Sequence, residues 1–169
     1  MLARIRPARN QDAAAIAAIY AHHVRHGTAS FDEVPRSLAE TEAKIAECEA
    51  QGWPFLVAEC GQDLVGYSYA MRFRDRAAYA FTCENAIYLH PDWLGRGIGT
   101  LLLCELVACA RSCGFRQMIA VIGGAGPASA ALHAKCGFRE AGRLKAVGYK
   151  FGRWLDTIYM QIALDAPEV

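Results

Sequence analysis

The sequence predicts a mixed α/β fold, in which helices flank one central β-sheet that combines antiparallel hairpins with parallel strand–helix units. Two pairs of strand-like segments are joined by short turns, which is typical of hairpins. Two other strand-like segments lead through glycine-containing turns into helix-like segments, and such connections join parallel strands. With 169 residues, 54% of them hydrophobic, the chain is expected to form a single domain over 1–169.

The first half of the chain is predicted to contain a strand, two helices and a hairpin. Ile16, Ile19 and Tyr20 follow helical spacing in the first helix, for which Asn10 is the expected N-cap. Ser37-Leu-Ala-Glu40 has the pattern of a capping box at the start of the second helix. The expected bounds are strand 3–6, helix 11–25, a second helix from the capping box to 51, and strands 55–60 and 64–72.

The second half is predicted to alternate strands and helices before a final hairpin. The apolar run from Met118 to Ile122 is typical of a buried central strand. Pro127 suits the first turn of the helix that follows this strand, and Gly152 is expected in the last turn between strands. The expected bounds are strand 81–89, helix 100–113, strand 118–122, helix 127–136, and strands 139–149 and 154–164.

One strand–turn–helix unit has the pattern of an anion site. A strand ends at Leu89, three glycines follow at alternating positions, and an apolar helix begins near Thr100. Free N–H groups and the helix dipole favour an anion at such a helix start, and glycines let the ligand approach the backbone closely. We therefore expect a diphosphate at the segment Leu94, Gly95, Arg96, Gly97, Ile98, Gly99 and Thr100.

Two common diphosphate motifs do not match this segment. No Lys follows the glycines, as a nucleotide P-loop requires. A dinucleotide-binding turn has the spacing Gly-x-Gly-x-x-Gly, whereas the spacing here is Gly-x-Gly-x-Gly.

The segment resembles the acetyl-CoA pyrophosphate loop of the GNAT acetyltransferases, whose pattern is Gln/Arg-x-x-Gly-x-Gly/Ala. Leu94 departs from it at the first position. The predicted element order also resembles that fold over nearly the whole chain. The resemblance implies that the fourth and fifth strands splay apart and hold the pantetheine arm of acetyl-CoA between them. An extended amide arm would satisfy peptide groups left without a partner strand.

Four stretches resemble one subgroup, the phosphinothricin and methionine sulfoximine N-acetyltransferases. They are 16–20, 82–88, 120–123 and 150–156. The resemblance implies transfer of an acetyl group to the α-amine of a small amino acid or glutamate analogue, by direct attack in a ternary complex, in a homodimer. There are two alternatives. The chain could acetylate a different amine, such as a protein N-terminus or a polyamine, although the Arg-bearing loop at 72–76 disfavours a polyamine. It could also be a non-catalytic module that binds acetyl-CoA.

The resemblance also implies roles for individual residues. Glu84 is expected to be the general base, and a backbone N–H near Tyr88 or Leu89 is expected to stabilise the developing oxyanion. Besides the glycine segment, the expected cofactor contacts are Ile87, Tyr88, Leu89, Gly126, Ser129 and His133. The expected acceptor contacts are Phe31, Arg74, Arg76, Tyr79 and Val121, with the arginines suited to a carboxylate.

Several of these roles have simpler alternatives. Arg74 and Arg76, with Arg72, could instead form a solvated strand edge. Ser129 is either a pantetheine contact or a helix cap, and His133 is either a proton donor or a structural residue. No Tyr is present near Leu132 to protonate the leaving thiolate, and Gly126 replaces the Asn that is usual in relatives.

Composition and net charge also indicate which other partners and locations to expect. The net charge of +1 disfavours nucleic acid, and no apolar run approaches the roughly 18–20 residues of a membrane span. The chain opens without the apolar core of a signal peptide, and its seven cysteines form no Cys-x-x-Cys pair, so we expect a cytoplasmic protein with reduced thiols. Cys109 and Cys113 share a helix face without a His at ligand spacing, so no metal is expected.

Overall fold

The computed structural model describes residues 3–165 as a seven-stranded mixed sheet flanked by helices. The sheet order is β1-β2-β3-β4-β5-β7-β6, with β4 and β5 parallel and the other neighbours antiparallel. The strands are β1 Arg4–Pro7, β2 Phe55–Cys60, β3 Asp63–Arg72, β4 Thr82–Leu89, β5 Gln117–Gly123, β6 Arg139–Lys150 and β7 Arg153–Ala163. The helices are α1 Ala13–His26, α2 Leu38–Gln51, α3 Ile98–Ser112 and α4 Pro127–Lys135. The predicted fold class and element order are confirmed.

The sheet separates two hydrophobic cores because side chains alternate between its faces. Residues of α1 and α2, such as Ile16 and Ile45, pack with Val57 and Tyr67 on one face. Residues of α3 pack on the opposite face against β4 and β5, where Met118 and Ala120 are buried. We call these the α1 face and the α3 face.

The helix starts agree with the sequence in one case and differ in another. The capping box of α2 is present: the Glu40 N–H donates to Ser37 Oγ at 3.2 Å, and the Ser37 N–H donates to Glu40 Oε2 at 2.7 Å. The expected N-cap role of Asn10 is wrong, because Asn10 lies inside a short 3-10 turn that precedes α1. The Arg9 N–H donates to Asp12 Oδ2 at 2.7 Å, so Asp12 stabilises that turn.

The fourth and fifth strands splay, as the resemblance implied. Parallel pairing between β4 and β5 ends at Asn85 and Ala120. Beyond this point β4 continues to pair with β3 as far as Leu89, and β5 continues to pair with β7 as far as Gly123. The last residues of β4 and β5 therefore form the two sides of a wedge that opens toward the start of α3.

Within residues 3–165, no helix has the length and apolar character needed to cross a membrane. The same residues contain no cluster of three or more His, Cys, Asp or Glu side chains placed to hold a metal ion.

Candidate active site

A cavity of about 170 Å³ lies in the wedge between β4 and β5 and is lined from both faces of the sheet. Residues of the α1 face at its wall are Tyr20, Arg36, Tyr69, Glu84, Tyr88 and Val121. Asn85, Ile87, Ser129 and His133 line it from the α3 face. A ligand that enters from one face can therefore meet a ligand that enters from the other.

Glu84 is the only carboxylate among the residues that line this cavity. It lies on β4 opposite Met71 of β3 and Ile119 of β5, and its side chain is 38% exposed to solvent. Burial raises the pKa of the Glu84 carboxyl above its ordinary value, while Arg74 and Lys44 act in the opposite direction. A partly desolvated carboxylate with a raised pKa is a better proton acceptor at neutral pH than an exposed one.

The backbone of β4 directs alternate peptide groups into the wedge. The His90 N–H donates to the Val65 carbonyl at 2.8 Å, and the Phe73 N–H donates to the Thr82 carbonyl at 3.0 Å. Even-numbered residues of β4 therefore bond to β3, and odd-numbered residues face β5. Ile87 and Leu89 consequently turn their N–H groups toward the wedge, where β5 has already diverged.

Tyr88 therefore contributes to the site by its side chain rather than by its peptide group. Its ring lies on the α1 face, with its centroid 5.2 Å from that of Tyr20 and 5.6 Å from that of Tyr67. Burial raises the pKa of the Tyr88 phenol, so it stays protonated at neutral pH. Of the two positions expected to supply an N–H to an oxyanion, only Leu89 has the required direction.

His23 of α1 closes the end of this strand. Its Nε2 lies 2.7 Å from the Leu89 carbonyl oxygen, so Nε2 carries the proton and donates it. Burial lowers the pKa of the His23 imidazole, which favours the neutral form. Local sequence patterns do not indicate this contact, because the two residues are 66 positions apart.

His133 is part of a buried hydrogen-bonded chain on the α3 face. Its Nδ1 donates to the Ser129 carbonyl at 2.8 Å, and its Nε2 lies 3.0 Å from Asn85 Nδ2. The imidazole is 3% exposed, and burial lowers its pKa. A neutral ring with Nδ1–H therefore accepts from Asn85, which supports the structural alternative over the proton donor. Asn85 Oδ1 has no partner among the described residues and lines the cavity wall.

The glycine segment forms an open helix N-terminus beside the wedge. Gly95 and Gly97 have φ of +73° and +79°, and no atom lies within 4 Å of a Cβ built on either residue. Gly97 is the N-cap of α3, which has no side-chain cap, so the N–H groups of its first turn are open to an anion. A Cβ on Gly99 would lie 3.3 Å from side-chain atoms of Leu132 and Leu89, so this glycine lets α3 pack closely on α4 and β4.

The remaining cofactor positions surround this N-terminus. The Arg96 side chain turns away from it, since its Nη2 donates to the Asp92 carbonyl at 3.0 Å and its guanidinium lies over Trp93. Leu94 is exposed, and Thr100 follows in the first turn of α3. Gly126 is the N-cap of α4, so Ser129 is not that cap, and no side chain caps α4. The open N-terminus and the unpaired edge of β4 fit a ligand with a diphosphate and an extended amide arm.

The loop between α1 and α2 covers the α1 face of the wedge. The Lys150 side chain is buried, and its Nζ donates to the Gly27 and Ser30 carbonyls at 3.0 and 2.8 Å. Phe31 packs against Gly148, where a Cβ would come within 2.2 Å of the Phe31 ring. These contacts fix a loop that also carries Arg36.

The predicted acceptor residues differ in their distance from the cavity. Val121 lines it, whereas Phe31, Arg74, Arg76 and Tyr79 stand outside the set of lining residues. Arg74 lies at its edge, because its Nη1 is 4.0 Å from Glu84 Oε2. Four other lining residues were not predicted as site residues from the sequence: Tyr20, Arg36, Tyr69 and Asn85. Tyr20 was assigned only to an apolar helix face, and Arg36 precedes the capping box without a motif of its own.

A larger cavity of about 540 Å³ lies elsewhere, between the C-terminal halves of α2 and α3 and the start of β2. It contains none of the residues expected to bind donor or acceptor. Cavity size alone therefore does not identify the site.

Comparisons with known proteins identify the family of this chain. The model of the acetyltransferase (GNAT) domain family matches residues 5–159. The chain is 51% identical to a phosphinothricin N-acetyltransferase of Alcaligenes faecalis, over 96% of this chain and 83% of the relative. It is 38% identical to an L-methionine sulfoximine/L-methionine sulfone acetyltransferase of Pseudomonas paraeruginosa, over 98% and 96% of the two chains.

A solved structure has the same fold. The phosphinothricin acetyltransferase of Sinorhizobium meliloti, in complex with acetyl-CoA, superposes with a TM-score of 0.94 at 46% identity, over 96% of this chain and 89% of that one. Since the family model spans most of the chain and the relatives exceed the identity at which homology is clear, the chain belongs to the GNAT family of acetyltransferases.

Proposed function

We propose that this chain is an acetyl-CoA-dependent N-acetyltransferase that acetylates the α-amine of a small amino acid or glutamate analogue of the phosphinothricin or methionine sulfoximine type. One observation carries the proposal: the cavity joins Glu84 on the α1 face to the unpaired edge of β4 in the wedge. The names of the relatives support the acceptor class. Because residues of both faces line the cavity, donor and acceptor can be bound next to each other, which supports direct transfer.

The donor side is formed by the wedge and by the N-terminus of α3. The first-turn N–H groups after Gly97 would hold the diphosphate, and the N–H groups of Ile87 and Leu89 would bind the amide arm. Ser129 and His133 line the far wall of the wedge. Acetyl-CoA, when bound, supplies an acetyl group activated as a thioester.

Glu84 would accept the proton of the acceptor's ammonium group, which leaves a neutral amine able to attack. The raised pKa of its carboxyl brings its basicity closer to that of the amine, and Arg74 limits the rise. The Leu89 N–H would stabilise negative charge on the carbonyl oxygen during transfer, and His23 holds the carbonyl of the same residue, which belongs to the next peptide unit.

The acceptor's α-carboxylate would bind near Arg74, with Arg76 at the entrance. Arg74 is 4.0 Å from Glu84, and an amino acid's carboxylate is one carbon away from its amine. Phe31, Tyr79 and Val121 would enclose the rest of the acceptor, with Phe31 fixed by its packing on Gly148.

We further propose that the chain is a single domain over 1–169 that acts in the cytoplasm as a homodimer. The apolar side chains of the β6–β7 hairpin support a second copy as partner, because five of them are 47–67% exposed: Leu144, Val147, Tyr149, Phe151 and Trp154. Multi-angle light scattering should give about twice the 18.4 kDa mass of the chain. A mass near 18 kDa at micromolar concentration would contradict the dimer.

Mass spectrometry of the products tests the activity. The protein would be incubated with acetyl-CoA and, separately, phosphinothricin, methionine sulfoximine, methionine sulfone, common amino acids, spermidine and a short peptide. Acetylated phosphinothricin or sulfoximine supports the proposal. Product from spermidine or the peptide alone would overturn the acceptor assignment, and acetyl-CoA binding without any product would favour a binding module.

A further inference from the structure

Arg36 occupies a position that the expected acceptor contacts do not account for. It lies in the α1–α2 loop directly before the N-cap of α2 and lines the cavity together with Glu84 and Val121. Its guanidinium carbon is 3.8 Å from the centroid of the Tyr20 ring. This cation–π contact with Tyr20 restrains the guanidinium, whose five N–H donors exceed what the neighbouring tyrosines can accept.

No carboxylate neutralises this arginine. Among the described residues, no Asp or Glu lies within ion-pair distance of Arg36, although it is only partly exposed. Asp32 of the same loop is engaged otherwise, because the Tyr20 hydroxyl donates to its Oδ2. A partly buried guanidinium without an anion loses hydration that the contact with Tyr20 replaces only in part.

A second cation reinforces the positive charge on this side of the site. Lys44 of α2 has its Nζ 4.9 Å from the centroid of the Tyr69 ring and 3.3 Å from Met71 Sδ. Burial lowers the pKa of Lys44, and the charge of Arg36 lowers it further, so the two cations influence each other. An anion bound between Arg36 and Lys44 would offset both the lost hydration of the guanidinium and the repulsion between the two cations.

The positions of Arg36 and Arg74 suggest different partners. Arg74 lies beside Glu84, where the α-carboxylate must be if the α-amine faces the base. Arg36 makes no ion pair with Glu84, so it is available for the far end of the acceptor. We propose that Arg36 binds an anionic group at the end of the acceptor's side chain, so that this chain selects amino acids with a terminal phosphinate or carboxylate over those with a neutral sulfone. The inference rests on the proposed function, since it assumes an α-amino acid acceptor at Glu84.

Acceptor selectivity in an Arg36→Met variant tests this proposal. Phosphinothricin carries the terminal anion, whereas methionine sulfone has the same α-amino acid group and a neutral end. We expect kcat/KM for phosphinothricin to fall about 10- to 100-fold, the loss of one charge-assisted hydrogen bond, mainly through KM. For methionine sulfone we expect a change of less than about threefold.

Two further variants separate specificity from structure. Arg25→Met removes an exposed arginine of α1 outside the cavity and should leave both acceptors unaffected. Arg36→Lys keeps the charge without the planar fork and should recover part of the phosphinothricin rate. Equal losses for both acceptors in Arg36→Met, or no loss for either, would overturn the proposal.

Failure of the proposed function would be visible separately. If the wild-type protein acetylates neither compound, that function fails, and calorimetric binding of phosphinothricin and methionine sulfone decides the role of Arg36. Weaker binding of phosphinothricin alone in Arg36→Met supports the role. Unchanged binding of phosphinothricin, or no binding of it to the wild type, overturns it.

Discussion

Lys150 connects the β6–β7 hairpin to the loop that covers the acceptor side, and its removal is expected to affect stability and acceptor binding together. Its side chain is 4% exposed, and its ammonium donates to the carbonyls of Gly27 and Ser30. Lys150→Met keeps most of the side-chain volume and removes both donors. The two carbonyls would then lack these partners unless the loop opens to water.

The magnitude follows from these two bonds. An unsatisfied buried carbonyl costs about 1–3 kcal/mol, so the loss of two partners would cost about 2–6 kcal/mol. Burial lowers the pKa of Lys150, with Asp32 and Glu33 opposing, which shows that burying its charge already offsets part of the gain. We therefore expect a net loss of about 2–3 kcal/mol, which corresponds to a melting temperature lower by roughly 4–12 °C.

Thermal denaturation and steady-state kinetics would measure the two effects. Because the loop lies on the α1 face, we expect Lys150→Met to raise KM for the acceptor and to leave KM for acetyl-CoA unchanged. Lys145→Met is the matched control, since Lys145 is exposed on the same strand. A Lys150→Met variant with the melting temperature and acceptor KM of this control would refute the reasoning.

Four further outcomes are expected. Arg6 lowers the pKa of the buried Asp12 carboxyl, so the Asp12→Asn variant should lose about 1–3 kcal/mol of unfolding free energy, measured by urea denaturation at pH 7. This deficit should shrink as pH falls below about 4, because the carboxylate of the wild type is then protonated. An equal deficit at pH 7 and pH 3 would contradict this. Burial raises the pKa of Glu84, so its charged form destabilises the folded state as pH rises. The Glu84→Gln variant should therefore be more stable at pH 8 but less active, and the gain should be only about 0.5 kcal/mol because the side chain is partly exposed. A loss of stability would argue against the assigned pKa shift. The Gly97→Ala variant should lose about 1–2 kcal/mol of unfolding free energy, because residue 97 has a positive φ. It should also bind acetyl-CoA more weakly in calorimetry, with an unchanged KM for the acceptor. Unchanged acetyl-CoA binding would count against the N-terminus of α3 as the diphosphate site. Burial lowers the pKa of His133, so its imidazole nitrogen signals should titrate in NMR at a lower pH than those of a free imidazole, and a midpoint above that of a free imidazole would restore it as a proton donor.

The sequence predicted the fold well because its local signals agree with one another. The capping box at Ser37 and the buried run from Met118 to Ile122 are short-range patterns, and the structure retains both. The N-cap prediction for Asn10 was wrong because the chain enters α1 through a 3-10 turn from Asn10 to Asp12, in which Asp12 accepts the Arg9 N–H. Both side chains can cap a helix, and local sequence does not distinguish them.

The candidate site could be proposed from the sequence only where a motif marks it. The glycine segment and Glu84 are recognisable from short stretches of sequence, since the backbone requirements of an anion site are local. Arg36, His23 and Lys150 act on partners far away in the chain, with separations of 66 residues for His23 and Leu89 and 120 for Lys150 and Ser30. Only the folded sheet brings these residues to the wedge.

Transfer of a labelled acetyl group tests the central claim most directly. The protein would be incubated with phosphinothricin and acetyl-CoA that carries a trideuterated acetyl group, and the mass of the product would be measured by mass spectrometry. The account predicts N-acetylphosphinothricin that carries the label, made by the wild type and by the exposed-site control Glu140→Gln, with Glu84→Gln at least about 100-fold slower at pH 7. Unlabelled product, or Glu84→Gln as fast as the wild type, would contradict the assignment of Glu84 as the base in a direct transfer from acetyl-CoA.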